Sequence, residues 1–164
     1  MTDKKYSIAV IGGTGALGFG LGARWAKAGH GIIIGSRAQE SADRGAERLA
    51  ELVPGATVSG LENGAAAAAA EVVVLTVPFS NQAPMLEAIH AGCQGKIMVD
   101  VTVPLMPPKV RTVHLPPEGS AAKGAQIFLG DGVRVVSAFQ NVAADHLSDL
   151  DHDIDCDILV CGND

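Results

Sequence analysis

The spacing Gly13-Thr14-Gly15-Ala16-Leu17-Gly18 does most to limit what this chain can fold into. It satisfies G-x-G-x-x-G, and its neighbours matter as much as its glycines. Lys5 to Ile11 ahead of it is a short β-rich run, and Ala16 to Ala28 behind it is helix-compatible and closed by Gly29. Strand, glycine turn and helix follow one another. Gly13 is expected to permit the tight turn, Gly15 to let the backbone approach a diphosphate, and Gly18 to let the helix pack closely on the strand. The helix mouth then offers unpaired N–H groups and a positive dipole end to an anion.

The rest of the chain alternates in the same way. Gly31 to Gly35 reads as a buried strand, Gln39 to Leu52 as a charged amphipathic helix, and Ala56 to Gly60 as a third strand after the Pro54-Gly55 turn. Asn63 to Ala70 has high helix propensity from its alanines and reads as a thin, closely packed helix, followed by the uncharged strand Val72 to Val77. Asn81 to Ala91 predicts a helix, Lys96 to Val103 a strand, and the proline-rich stretch Leu105 to Pro117 an extended loop. Ser120 to Phe128 predicts a last helix, with Val133 to Ser137 and Asp157 to Cys161 as late strands. This order implies an α/β fold, a doubly wound parallel sheet of Rossmann type, in one domain covering residues 1–164.

Composition narrows the partners. Hydrophobic residues make up 48% of the 164 but aromatics only 4%, so Val, Ile, Leu and Ala must build the core, as in sheets buried on both faces. A net charge of −6 without a basic run argues against nucleic acid or an anionic membrane as the main partner. The longest apolar stretch, Gly64 to Phe79, contains Glu71 and is too short to span a bilayer. Three cysteines, Cys93, Cys156 and Cys161, form no CxxC pair, and no secretory leader is evident in Met1 to Ile11, so a cytoplasmic location is expected.

The end of the second strand discriminates between cofactors. An NAD-binding chain carries an acidic residue there for the ribose hydroxyls, whereas this chain has Gly35-Ser36-Arg37. A serine hydroxyl and a guanidinium suit a dianionic 2′-phosphate that a carboxylate would repel, so NADP is expected. No acid–base pair stands out. The only tyrosine, Tyr6, enters the first strand, which excludes the Tyr-x-x-x-Lys mechanism of short-chain dehydrogenases. The five histidines are dispersed. Alternating Asp149, Asp151, Asp153, Asp155 and Asp157 lack the glycine and terminal glutamate of a calcium loop, where Ile154 and Val160 stand, and read as a solvated loop and strand edge. Missing acid–base machinery suits direct hydride exchange between two bound cofactors, with the protein supplying proximity and orientation.

The segments Ile11 to Gly18, Gly35-Ser36-Arg37, Val74 to Pro78, Val135 to Val142 and Val160 to Asp164 together resemble the NADPH-dependent F420 reductases, or F420H2:NADP oxidoreductases. The resemblance runs from Ile8 to Asp164. It implies hydride transfer between the nicotinamide of NADP(H) and C5 of coenzyme F420, an 8-hydroxy-5-deazaflavin. It further implies that Thr14, Gly15, Ala16 and Leu17 hold the pyrophosphate and that Ser36 and Arg37 hold the 2′-phosphate. Val77, Asn81, Val103, Leu105 and Ala144 would line the adenosine, ribose and nicotinamide path, and Gln140 and Val142 would face the deazaflavin. Two positions depart from a well-known member, with Ser41 in place of a lysine and Gln140 in place of a histidine.

Family members continue for several tens of residues in a helical part that completes the deazaflavin pocket and the dimer. With that part missing, the chain as given is expected to bind NADPH and to reduce F420 slowly or not at all. The other readings are a non-catalytic NADP-binding module and an imine or pyrroline-5-carboxylate-type reductase domain. Partners are expected to be small-molecule cofactors and a second copy in a homodimer.

Overall fold

The computed structural model describes residues 4–105 and 112–163. The chain alternates strand and helix: β1 (Ser7–Ile11), α1 (Ala16–Lys27), β2 (Gly31–Ser36), α2 (Gln39–Leu52), β3 (Val58–Glu62), α3 (Asn63–Ala69) and β4 (Val72–Leu75). There follow α4 (Gln82–Cys93), β5 (Ile97–Asp100), α5 (Ala121–Leu129), β6 (Arg134–Ser137) and β7 (Cys161–Gly162). The strands form one sheet in the order β3-β2-β1-β4-β5-β6-β7. β1 to β6 are parallel, and β7 runs antiparallel on the β6 edge. Strand order reverses between β1 and β4, which opens a crevice beyond their carboxyl ends.

Alternation along β1 divides the core. Ile8 and Val10 point to one face with Phe19, Ala23, Ile32, Ile34 and Leu49, beneath α1 and α2. Ala9 and Ile11 point to the other with Ala66, Ala67, Leu75, Met85, Ile89 and Met98, beneath α3 and α4. Both faces are therefore covered, and aliphatic strands serve where alternating ones would not. The alanine tract lets α3 approach α4 closely: a Cβ on Gly92 would sit 2.7 Å from Ala68 N.

Several expected strand ends are displaced: β1 starts at Ser7 rather than Lys5, and β4 ends at Leu75 rather than Val77. β3 begins at Val58 rather than Ala56, because Ala56 N closes the Pro54-Gly55 turn onto Val53 O at 3.1 Å. β5 ends at Asp100, whose buried carboxylate takes the N–H of Thr102 at 2.9 Å and turns the chain out of the ladder, so Val101 to Val103 are not strand. The last strand is Cys161–Gly162 and not Asp157–Cys161, and Cys156 N bonds back to Ile154 O at 3.1 Å. Ser120, expected inside the last helix, caps α5 by accepting from Lys123 N. The expected loop Leu105 to Pro117 lies partly outside the described residues, as do Met1 to Asp3 and Asp164.

The acidic stretch is held by its backbone. Arg24 on α1 donates from Nε to Leu147 O and from Nη2 to the carbonyls of His146, Asp149 and His152, at 2.8 to 3.1 Å. Lys27 Nζ adds Leu150 O at 2.7 Å. The five alternating aspartates are exposed, and among the described residues no three His, Cys, Asp or Glu side chains gather as a metal site. No helix among them is long and apolar enough to cross a membrane.

Candidate functional site

The crevice at the strand-order reversal has a volume of about 630 Å³. Its floor is the glycine turn, where Gly12 N and Gly13 N both donate to Gly35 O and tie the turn to β2. The left-handed position is Gly12, with φ of +78°, and not Gly13 as the spacing suggests. A Cβ on Gly12 would also lie 2.8 Å from Val77 Cγ1. Gly13 is required for a different reason, since its Cβ would sit 2.7 Å from Val10 O. At Gly18 a Cβ would collide with Thr76 Oγ1, which keeps α1 against β4.

Gly15 differs from the other three. Its φ of −75° suits any residue, and a Cβ there would meet only Gly12 O at 3.4 Å. Neither conformation nor protein packing calls for glycine, and the space above it is the crevice. Gly15 is also the N-cap of α1, with no side-chain cap and no acidic residue in the first turn. The first-turn N–H groups of Ala16, Leu17 and Gly18 precede the first intrahelical bond, Phe19 N to Gly15 O at 2.8 Å. A bare glycine floor facing such donors fits a diphosphate.

Ser36 and Arg37 leave β2 on the same crevice, and among the described residues Arg37 enters no ion pair. Arg44, which could otherwise compete for ligands nearby, is spent on Glu40 at 2.6 Å and on Ser41 Oγ at 3.3 Å. The one carboxylate among the lining residues is Glu62, at the end of β3. An exposed arginine beside a serine hydroxyl, without a carboxylate at the end of β2, fits a 2′-phosphate.

Of the residues named from sequence, Thr14, Gly15, Ser36, Arg37, Val77 and Asn81 line the crevice together. Ala16 and Leu17 open α1 beside it, and Gly13 and Gly18 are buried beneath. Val103, Leu105, Gln140, Val142 and Ala144 do not line it. Gln140 is nonetheless brought to the carboxyl end of β5, where its Nε2 donates to Asp100 O at 2.8 Å. Phe139 makes that possible by taking φ of +69°, a left-handed turn, with its ring edge-on to Trp25 at 5.7 Å.

A buried strut stands behind this end of the sheet. Gln82 Nε2 donates to Asp100 Oδ2 at 2.7 Å, to Thr102 Oγ1 at 2.9 Å and to Ala121 O at 3.2 Å. It joins the starts of α4 and α5 to the segment leaving β5. Burial pushes the Asp100 carboxyl above its ordinary range, and hydrogen bonds from Thr102 and Gln82 pull it back.

Sequence reasoning missed Asn63, Glu62 and the outer wall of Pro84, Met85 and Ala88 on α4. The spacing of Pro84 and Ala88 on one helix face carries a signal, but it is indistinguishable from an ordinary packed face. Asn63 carries none, since it reads only as the start of the alanine helix.

Several similarities bear on this geometry. The family model described as "NADP oxidoreductase coenzyme F420-dependent" matches residues 7–104. The F420-dependent NADP reductase of Methanocaldococcus jannaschii is 43% identical over 96% of this chain and 73% of its own length. The enzyme of that name from Methanothermobacter thermautotrophicus is 43% identical over 95% of this chain and 70% of its own. Among crystal structures, one from Arthrobacter assigned as an F420-dependent NADP reductase superposes with a TM-score of 0.77 at 26% identity, covering 97% of this chain and 74% of that one. A Plasmodium falciparum pyrroline carboxylate reductase superposes at 0.58 with 14% identity, covering 99% of this chain and 49% of that one, a likeness of fold alone. Glycine floor, β2 terminus and matched segment coincide, and the chain belongs to the coenzyme F420-dependent NADP oxidoreductase family.

Proposed function

We propose that this chain is an oxidoreductase that transfers a hydride between NADP(H) and coenzyme F420, with residues 1–164 forming the NADP-binding domain. The observation that carries the reading is Gly15, a glycine that the protein's own packing does not require and that faces the crevice beneath unpaired helix N–H groups. Family membership supports the second cofactor.

The nicotinamide and the deazaflavin supply the hydride chemistry when both are bound. The protein's own residues bind and orient. Gly15, Ala16 and Leu17 offer backbone donors to the diphosphate, while Ser36 and Arg37 take the 2′-phosphate. Val77 and Asn81, just beyond β4 and just before α4, would border the nicotinamide where strand order reverses. Val103, Leu105, Gln140, Val142 and Ala144 stand outside the crevice and would serve the nicotinamide end and the deazaflavin, with Gln140 anchored on Asp100 O. Holding two rings face to face removes the entropy of their encounter, so no acid–base residue is needed for the transfer itself. The free, exposed Cys156 and Cys161 suit a reducing cytoplasm, and the family resemblance supports a homodimer.

The test is to titrate the chain with NADPH in a calorimeter and then to mix it with NADPH and oxidised F420 while following F420 absorbance. NADPH binding is expected, and bleaching at any rate above that of a protein-free control supports hydride transfer. Binding without bleaching would favour the non-catalytic module, and no binding would overturn the reading.

A further inference from the structure

Among the described residues, one buried side-chain polar atom lacks a hydrogen-bond partner. Gln82 makes three hydrogen bonds, and Gln39 donates to Asp43 Oδ1 and Gly60 O while accepting from Glu62 N at 3.2 Å. Asn63 is only 5% exposed, yet its Oδ1 is buried without a hydrogen-bond partner. Its carboxamide as a whole bonds to no described residue. An orphaned buried amide is costly, and native chains rarely keep one without use.

Asn63 lines the crevice beside Ser36, Arg37 and Glu62. β2 makes room for it, because a Cβ on Gly35 would sit 2.8 Å from Asn63 Oδ1 and 3.0 Å from Val10 O. The glycine that precedes Ser36 and Arg37 thus lets a carboxamide lie over the strand at the point where those two side chains leave it. A carboxamide presents both a donor and an acceptor and carries no charge.

We propose that Asn63 binds the adenosine ribose of the dinucleotide and that, with Ser36 and Arg37, it sets the preference for a 2′-phosphate over a 2′-hydroxyl. This rests on the reading of the crevice as an NADP site. A neutral donor at this place accepts a dianion as neighbour, whereas a carboxylate would repel it and accept from ribose hydroxyls instead.

The variants are Asn63→Asp and Asn63→Ala, with folding checked by circular dichroism and Kd measured for NADPH and NADH by calorimetry. Asn63→Ala is expected to weaken NADPH about tenfold. Asn63→Asp is expected to shift the ratio of the two affinities toward NADH by at least about tenfold, an effect that a purely structural role would not produce. Wild-type NADPH affinity in a folded alanine variant, or equal losses for both cofactors in the aspartate variant, overturns the proposal. Should Asn63→Asp fail to fold, the alanine variant decides alone. Failure of the unaltered chain to bind NADPH brings down the cofactor reading itself, whereas normal binding with unaffected variants brings down only the role of Asn63.

Discussion

Arg37 and Gly15 test the site at its two ends. Arg37 is exposed and unpaired among the described residues, so its charge is available to a ligand and its removal leaves the fold alone. Arg37→Ala should weaken NADPH by about 1.5 to 3 kcal/mol, as for a charge-assisted hydrogen bond, and leave NADH nearly unchanged. Equal losses for the two cofactors in titration calorimetry would remove the 2′-phosphate assignment. Gly15→Val places a branched side chain at the crevice, at a position where a Cβ meets only Gly12 O at 3.4 Å. A folded variant that has lost dinucleotide binding is therefore expected, and NADPH affinity equal to that of the unaltered chain would count against the diphosphate placement. The place of both residues at the crevice was legible in the sequence because its signals are local: a bare backbone after a strand, and a cation where an acid usually stands. Gly12 and Asn63 were not. The left-handed turn falls one residue ahead of the G-x-G-x-x-G spacing, and the orphaned carboxamide is a fact about packing against Gly35 that no local pattern carries.

Elements were legible wherever hydrophobic runs set them, and their ends were not. The places of β1, β2 and β4 were legible from their aliphatic runs, although β1 starts at Ser7 and β4 stops at Leu75, while β3 and β5 begin or end where a turn or a side-chain hydrogen bond withdraws the backbone from the ladder. Asp100 is the clearest case. It reads as a strand residue, and it ends β5 because its carboxylate serves Thr102 and Gln82. Burial lifts its pKa above the ordinary 3.8, so the folded chain keeps this proton to higher pH than the unfolded chain. Stability from this group is accordingly greatest at low pH and declines as pH rises through the interval between 3.8 and the raised folded value. Urea midpoints measured from about neutral pH down to about pH 4 should therefore show the unaltered chain gaining on Asp100→Asn as the pH falls. A gap between the two that stays constant with pH would show that the carboxyl does not titrate in this way.

At the scale of the whole molecule, the parallel order of β1 to β6 and the reversal between β1 and β4 put the crevice and its lining residues at the carboxyl edge of one sheet. The alternation of strand and helix made this order legible, whereas the antiparallel β7 follows a return segment whose carbonyls at His146, Asp149 and His152 bond to Arg24, distant in sequence. The crevice joins β1, β2, β3 and β4 with α1, α3 and α4, so a ligand that fills it contacts much of the fold at once. Because such a ligand binds the folded chain and not the unfolded one, it raises stability by mass action, by about 2.7 kcal/mol when present at about 100 times its Kd. For a chain of this size that should raise Tm by about 5 to 10 °C. NADH at the same concentration should raise it less, since it offers Arg37 no 2′-phosphate. Equal shifts for NADPH and NADH in a thermal melt would separate the crevice from any preference for the phosphate, and no shift for either would show that the crevice is not where the dinucleotide binds.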